Sequence, residues 1–359
     1  MSASVFVPKA EASSFGVLDS ETQRSLLPVR AISESFGLKV GWDAKTWTVS
    51  IGEKYTMQIG NEYVYENGKP VHKLLAKPKI VNGSTYVPVR DISILFGTDI
   101  EWNAENFEVE LMINGKQYVY PVFAEKAVLK PKVQSSMESF FVNSKKLNAR
   151  IVKVNMLAPN TSLHVELANN KLNTVNSLSS IAQAHGAVVA INGNYFDAYT
   201  DAKTVYNGLV MNGQIARTFD LKFPVFYATK SGALGILPGD AFLEKFHAGG
   251  VDPIMEALQV GPTLMTKGKI TINPTGEGFR DPKILTNSAM RSAVGYTKDR
   301  QLILLTVPNA RIGEVAEIMK QLGAYEAMNL DGGASSGLYV NGNYVTIPGR
   351  QIAVGLLVK

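Results

Sequence analysis

Residues 329–336, Asn-Leu-Asp-Gly-Gly-Ala-Ser-Ser, set one carboxylate, Asp331, beside Gly332 and Gly333 and two hydroxyls, Ser335 and Ser336. Glycines leave the backbone open to a ligand, and consecutive N–H groups can turn inward as an anion-binding nest. A carboxylate beside such a nest suits acid–base work on a phosphate ester or phosphodiester. The same residues also serve a plain tight turn between strands, because Asp-Gly is a common turn pair. Residues 333–337 further fit the G-x-S-x-G of serine hydrolases. That elbow needs a helix directly after its serine. Residues 338–345 instead alternate and carry the hairpin pair Asn341-Gly342, so strand follows strand and an esterase built on Ser335 is disfavoured.

The rest of the composition narrows the chemistry. Cysteine is absent, which excludes disulfide scaffolds, zinc–thiolate sites, iron–sulfur clusters and thiol catalysis. The four histidines, His72, His164, His185 and His247, are too scattered for a paired-histidine metal motif. No metal or other cofactor is expected. Lys and Arg outnumber Asp and Glu by 36 to 31, and the isoelectric point is near 9.0. That balance suits anionic polymers or a negatively charged cell envelope, but no basic block marks a nucleic-acid surface. No apolar run is long enough to span a membrane. Residues 1–15 lack the basic-then-apolar layout of a secretory signal, so the chain either is not secreted that way or has lost its leader.

The elements that must carry these residues can be read in turn. A chain of 359 residues, 45% hydrophobic and 19% charged, is a globular protein of two or three domains. Its 31 Gly and 16 Pro predict many turns and a β-rich fold. Residues 27–51 repeat as residues 87–111 at a constant offset from Pro28 to Pro88. Pro28/Pro88, Val29/Val89, Arg30/Arg90, Ile32/Ile92, Phe36/Phe96, Gly37/Gly97, Trp42/Trp102 and Val49/Val109 are identical, which means one supersecondary unit used twice. Each copy predicts a short helix opened by Pro and closed by Gly, then two strands around a turn at residues 43–45 or its equivalent. The Trp and Phe residues are expected in the core.

Residues 26–122, with Y-E-N-G-K-P at 65–70, I-V-N-G at 80–83 and Y-V-P-V-R at 86–90, resemble the stalk module named after the amino terminus of copper amine oxidases. In bacterial surface proteins that resemblance implies a spacer or wall-associated accessory domain. It does not imply the oxidase, since no histidine cluster is available for copper and Asn194-Tyr195-Phe196 lacks the acid of the oxidase's Asn-Tyr-Asp/Glu context. Residues 123–146, richer in Lys, Ser and Glu, read as a linker.

Four glycine-bearing clusters follow. Residues 187–197 are a buried-type strand running into Asn192-Gly193, after a helix at 175–185 closed by Gly186. Residues 260–268 read as a hairpin edge, and residues 290–299 lead into the apolar strand 302–307. Residues 327–342 hold Asp331, after an amphipathic helix with Ile312, Val315, Ile318, Met319 and Leu322 on one face and Gly323 closing it.

Together these clusters resemble the phosphodiester glycosidase family, over residues 146–359. The resemblance rests on I-N-G-N-Y-F at 191–196, R-S-A-V-G-Y at 291–296, E-V-A-E-I-M at 314–319, N-L-D-G-G-A-S-S at 329–336 and G-R-Q-I-A at 349–353. The chain departs from the family at Ala334, where a third Gly is usual, at Asn194, often Gly or Thr, and at Pro308-Asn309-Ala310-Arg311, where many members carry Asp-Gly-Arg. The resemblance implies hydrolysis of a sugar-1-phosphodiester, releasing the sugar from a phosphate-linked aglycone.

Chemistry then suggests roles. Arg291 and Arg350 clamp the phosphate in bidentate fashion. Asn192 bonds a sugar hydroxyl or phosphate oxygen. Asp331 is the general acid/base or nucleophile, and Glu277 is a second carboxylate. Gly193, Gly332, Gly333, Ser335 and Ser336 line the substrate, with Tyr195 and Phe196 as a stacking face, although the core is the better-supported place for Phe196. The expected fold is α+β: a small repeated α/β stalk module at residues 1–122, a linker at 123–146, and a larger mixed β-sheet domain with flanking helices at 147–359. The expected function is cleavage of sugar-1-phosphodiester bonds in phosphate-linked glycans of the cell envelope, outside the cell or on its wall. The alternative is a non-catalytic carbohydrate-binding or wall-associated protein. Partners are such a glycan or a small sugar-1-phosphodiester, with neither nucleic acid nor a membrane span.

Overall fold

The computed structural model describes residues 15–250 and 252–359; the amino-terminal segment read for a signal lies almost wholly outside them. The chain forms two compact units, residues 1–130 and 131–359.

In the first unit the repeat is visible as structure. Pro28 and Pro88 cap the helices Val29–Ser35 and Val89–Phe96 from extended backbone. Gly97 ends the second helix in the left-handed region, where a residue without Cβ is unstrained. Hairpins Val40–Asp43/Thr48–Ile51 and Asp99–Asn103/Glu108–Ile113 follow the two helices. Equivalent residues of the two copies share one core: Leu27 with Val87, Ile32 with Ile92, Val49 with Val109, Ile51 with Leu111. The tryptophans are not in it. Trp42, Trp47 and Trp102 are 42–54% exposed, and Phe107 is 56% exposed. They sit at the hairpin ends, where the rings pair edge to face with each other, Trp42 on Trp47 and Trp102 on Phe107, instead of packing inward.

Residues 123–146 are not a linker. They hold the end of the strand Lys116–Ala124, the short helix Glu125–Val128, the strand Val133–Val142 and the start of the strand Lys145–Asn155. Val133–Val142 pairs along its whole length with Lys145–Asn155. Its Ser, Glu and Met side chains are exposed, so the polar composition belongs to a solvated strand at a sheet edge, not to a loose connection.

The described residues of the second unit form three sheets. A seven-stranded sheet runs in the order Val133–Val142, Lys145–Asn155, Gln301–Ala310, Ala289–Tyr296, Glu326–Asn329, Thr263–Thr266, Lys269–Ile270. Two five-stranded sheets are ordered Leu163–Leu167, Val354–Val358, Val189–Asn192, Leu338–Val340, Asn343–Thr346 and Gln214–Arg217, Leu209–Met211, Ile254–Gln259, Pro224–Thr229, Leu234–Pro238. Alternation on the central strands fills two cores. Val152, Val154, Leu302, Leu304 and Val294 face one core, shared with the five-stranded sheets. Ile151, Ile303, Leu305, Val307 and Ala293 face the other, covered by the helix Ile312–Gln321 through Val315, Ile318 and Met319. A strand buried on both faces reads as the continuous apolar run seen at 302–307. The helix expected at 175–185 is Leu178–Ala184, started by the Ser177 hydroxyl, which accepts the Ser180 N–H at 3.0 Å. Strand, Asn341-Gly342 turn and strand follow Ser336 as expected, with no helix after the serine.

Candidate active site

Three strand ends meet at Asp331: Val189–Asn192, Glu326–Asn329 and the start of Ala289–Tyr296. The chain from 330 to 337 crosses between them and is fixed by the backbone. Leu330 N–H donates to Ser292 O at 2.9 Å, and Asp331 N–H donates to Gly193 O at 3.1 Å. Gly333 adopts φ +60°, and a Cβ on Gly332 would stand 3.0 Å from Met290 O. This path therefore needs both glycines.

Asn192 is the bolt behind this loop. Its Nδ2 donates to Asp331 O at 2.6 Å, and its Oδ1 accepts the Ser292 hydroxyl at 2.8 Å and Gly337 N–H at 3.0 Å. It is 1% exposed. Its amide is engaged by the protein and holds Asp331, so it does not reach a sugar hydroxyl as the sequence suggested. Ser292, unmarked in the sequence reading, is its buried partner.

Asp331 itself is only partly buried. Its Oδ1 accepts the Gly332 N–H at 2.9 Å, and the Ser335 hydroxyl donates to it. Burial nevertheless dominates and pushes its pKa from 3.8 up to about 6, against the opposing pull of those hydrogen bonds and the nearby Arg350. A carboxyl that exchanges its proton near neutrality is suited to acid–base catalysis. In the turn Gly333–Ser335 the first N–H groups, of Gly333 and Ala334, have no acceptor within the turn. Ser335 and Ser336 are buried, and Ser336 Oγ has no hydrogen-bond partner among the described residues.

The two arginines differ. Arg291 is 2% exposed, and its guanidinium is built into the scaffold. Nε donates to Ala310 O at 3.0 Å, and Nη2 donates to Lys283 O and Asn287 O at 2.6 Å each. A bidentate clamp on phosphate is therefore not open to it. Only Nη1 is left without an acceptor among the described residues, and it lies 3.8 Å from where a Cβ on Gly332 would stand. Burial lowers its pKa from the ordinary arginine value. The residues 308–311, which depart from the family pattern, supply one of these carbonyls. Arg350, in contrast, is half-exposed. Gly349 N–H donates to Ala334 O at 2.8 Å, which fastens the chain next to Arg350 onto the Asp331 loop. Among the described residues no hydrogen bond or salt bridge holds the Arg350 guanidinium, and its charge acts on Asp331.

Tyr195 lies against the same loop. Its hydroxyl donates to Gly261 O at 2.8 Å and accepts Asn329 Nδ2 at 3.2 Å, while burial and Asp331 push its pKa far above the ordinary phenol value. The ring is partly buried and packs on the core, and Phe196 is a core residue. Gly193 donates to Val354 O at 2.8 Å and lies under Asp331 as backbone support. Glu277 sits at the Gly261–Thr263 segment, where its Oε2 accepts Thr263 N–H at 3.0 Å and burial raises its pKa. Among the described residues no hydrogen bond joins it to Asp331. Asn329, in the same motif as Asp331, is buried, and its Nδ2 donates to Gly261 O and Leu330 O.

This arrangement coincides with the part of the chain that known proteins share. Residues 185–359 match the family model for phosphodiester glycosidase, and residues 17–111 match that for the copper amine oxidase N-terminal domain. The chain carries a phosphodiester glycosidase domain behind a copper amine oxidase N-terminal domain. Relatives agree at a distance. The N-acetylglucosamine-1-phosphodiester α-N-acetylglucosaminidase of Mus musculus is 26% identical over 180 residues, covering 45% of this chain and 34% of that protein. A protease inhibitor of Brevibacillus choshinensis is 30% identical over 86 residues, covering 23% of this chain and 26% of that protein. The chain thus spans only about a quarter to a third of the length of these relatives. Among solved structures, the zebrafish N-acetylglucosamine-1-phosphodiester α-N-acetylglucosaminidase catalytic domain, described as auto-inhibited by its pro-peptide, superposes with a TM-score of 0.53 at 22% identity. It covers 64% of this chain and 84% of that one. A hypothetical protein from Synechocystis gives 0.52 at 14% identity, covering 96% and 95%. These likenesses bear on the fold alone. No helix among the described residues is long and apolar enough to cross a membrane.

Proposed function

We propose that the phosphodiester glycosidase domain hydrolyses sugar-1-phosphodiester bonds in phosphate-linked glycans of the cell envelope, with Asp331 as the proton-transferring group. The observation that carries this reading is the seat of Asp331: a carboxyl whose pKa burial pushes up to about 6, held by Asn192 and Gly193, with Arg350 close by. Arg350 holds the phosphate, helped by Nη1 of Arg291 and by the N–H groups of Gly333 and Ala334. Ionised Asp331 takes a proton from water as the water oxygen bonds to the anomeric carbon. The bond from that carbon to the phosphate oxygen breaks, and its electron pair leaves with the phosphate. Phosphate is a good leaving group, so one catalytic carboxylate suffices, with Glu277 outside the reacting atoms. Ser335 tunes Asp331 through its hydrogen bond and is not a nucleophile.

The copper amine oxidase N-terminal domain serves as a wall-associated spacer outside the catalytic step. A protein that binds glycans without cleaving them is favoured by one observation, the engagement of Arg291 by backbone carbonyls, which removes one of the two expected clamps. Incubation with N-acetylglucosamine-1-phosphate diesters, followed by mass spectrometry for free sugar, separates the two. Wild type and the Ser335→Ala variant should release sugar and the Asp331→Asn variant should not; binding without release by all three would support the non-catalytic reading.

A further inference from the structure

The loop of residues 197–204 rises from a fixed base beside Tyr195. Phe196 bridges to Val205, and Asp197 N–H donates to Thr204 O at 2.8 Å. The Asp197 carboxylate accepts the N–H groups of Tyr199 and Thr200 at 3.0 and 3.1 Å, which makes a tight turn and holds Tyr199 outward. Its ring is 82% exposed, the most exposed large apolar side chain among the described residues. Single exposed aromatics are common, but this one stands between two cations. The Arg350 guanidinium lies 5.5 Å from the ring centroid and the Lys283 ammonium 6.0 Å.

Both cations are fastened to the Asp331 loop. Arg350 follows Gly349, which bonds Ala334. Lys283 gives its carbonyl to Arg291, whose guanidinium packs beside Gly332. The nearby carboxylates have local duties: Asp197 forms its turn, and Asp281 accepts Lys283 N–H at 2.8 Å at the start of the helix Pro282–Leu285. Among the described residues neither Lys283 nor Arg350 forms a salt bridge within 4.0 Å of a carboxylate, although Arg350 is close enough to act on Asp331. The result is an exposed ring beside two cations, one of which, Arg350, also acts on the Asp331 carboxylate.

We infer that Tyr199 and Lys283, next to Arg350, form a second subsite that takes an anionic group on the aglycone side of the scissile phosphate. The substrate class is then a polymer with repeated sugar-phosphate units, in preference to a small diester with a neutral aglycone. The inference rests on the reading of Asp331 as the reacting site. The ring stacks on a sugar while the ammonium meets the next phosphate, and the attraction weakens as salt screens it.

Steady-state kinetics on two substrates tests this. Both carry the same sugar-1-phosphodiester bond; one has a methyl aglycone, the other an aglycone bearing a second phosphate. For the wild type, kcat/KM should be about tenfold higher on the doubly charged substrate at low salt, and the gap should close at high salt. Lys283→Ala and Tyr199→Ala should close most of it by raising KM on that substrate, leaving kcat on the methyl diester unchanged. Lys283→Arg and Tyr199→Phe should keep it. Equal wild-type values on the two substrates, or equal losses on both in the variants, would overturn the subsite while the hydrolase reading stands. If neither substrate is cleaved, the hydrolase reading fails and inorganic triphosphate binding decides the subsite: weaker binding by Lys283→Ala supports it, and unchanged binding sinks it.

Discussion

Replacing Asp331 by Asn keeps the side chain's size and its ability to accept from Gly332 N–H and the Ser335 hydroxyl, and removes the titrating carboxyl. In the wild type, burial moves that carboxyl from 3.8 to about 6. The shift is roughly two pH units, at about 1.4 kcal/mol each. The folded protein therefore holds this proton more tightly than the unfolded chain does. The stabilisation is complete below about pH 4 and is lost as pH rises through about 6. Taken whole, the ionised group would cost about 3 kcal/mol at pH 7; its remaining contact with water reduces this to about 1–2 kcal/mol. The stability of Asp331→Asn relative to wild type should thus rise by about 1–2 kcal/mol between pH 4 and pH 7 and stay level on either side, while activity falls by about 10²–10⁴-fold.

Urea unfolding followed by hydrogen–deuterium exchange of peptides from residues 131–359 measures the second unit. All three tryptophans, Trp42, Trp47 and Trp102, lie in the first unit, so their fluorescence is an internal control that should not distinguish variant from wild type. A stability difference that does not move with pH, or a variant less stable than wild type at every pH, would refute the burial of a titrating acid at this position.

Arg291→Lys should lower stability by about 3–5 kcal/mol, because one ammonium cannot serve the three carbonyls of Ala310, Lys283 and Asn287; a stable variant with only a raised KM would restore the clamp. Ser335→Ala removes a hydrogen bond that favours ionised Asp331, so the acidic limb of the kcat/KM profile should move to higher pH while a substantial rate remains; covalent labelling of Ser335 by a fluorophosphonate would contradict this. A fragment beginning at Pro131 should fold and keep most of the turnover on a small diester, whereas one beginning at Lys146 loses the strand Val133–Val142 and should show lower stability or aggregate, as judged by thermal melts and size-exclusion chromatography.

Much of this fold was legible because its signals are local. The Pro-to-Gly repeat, the helix Ile312–Gln321 with its apolar face, and the Asn341-Gly342 hairpin each announce themselves within a few residues. Asp331 was legible for the same reason, as its glycines and Ser335 are neighbours in the chain. What failed depended on partners far apart in sequence. The acceptors that engage Arg291 are backbone carbonyls, which no residue type marks. Asn192 reads as a ligand at a strand end until Ser292 and Gly337 are brought to its Oδ1. The polar residues 133–139 resemble a linker because an edge strand with one solvated face and a loose connection share a composition. Tyr199 and Lys283 carry no motif, and only the folded chain sets the ammonium against the ring.

The most direct test of the central claim is the fate of the water oxygen. Hydrolysis of an N-acetylglucosamine-1-phosphate diester in water enriched in oxygen-18, stopped early and read by mass spectrometry, reports which bond breaks. Attack at the anomeric carbon, with Asp331 as base, predicts the label in the released sugar and an unlabelled phosphate monoester. Label in the phosphate would mean cleavage at phosphorus, and the protein would then be a phosphodiesterase and not a glycosidase.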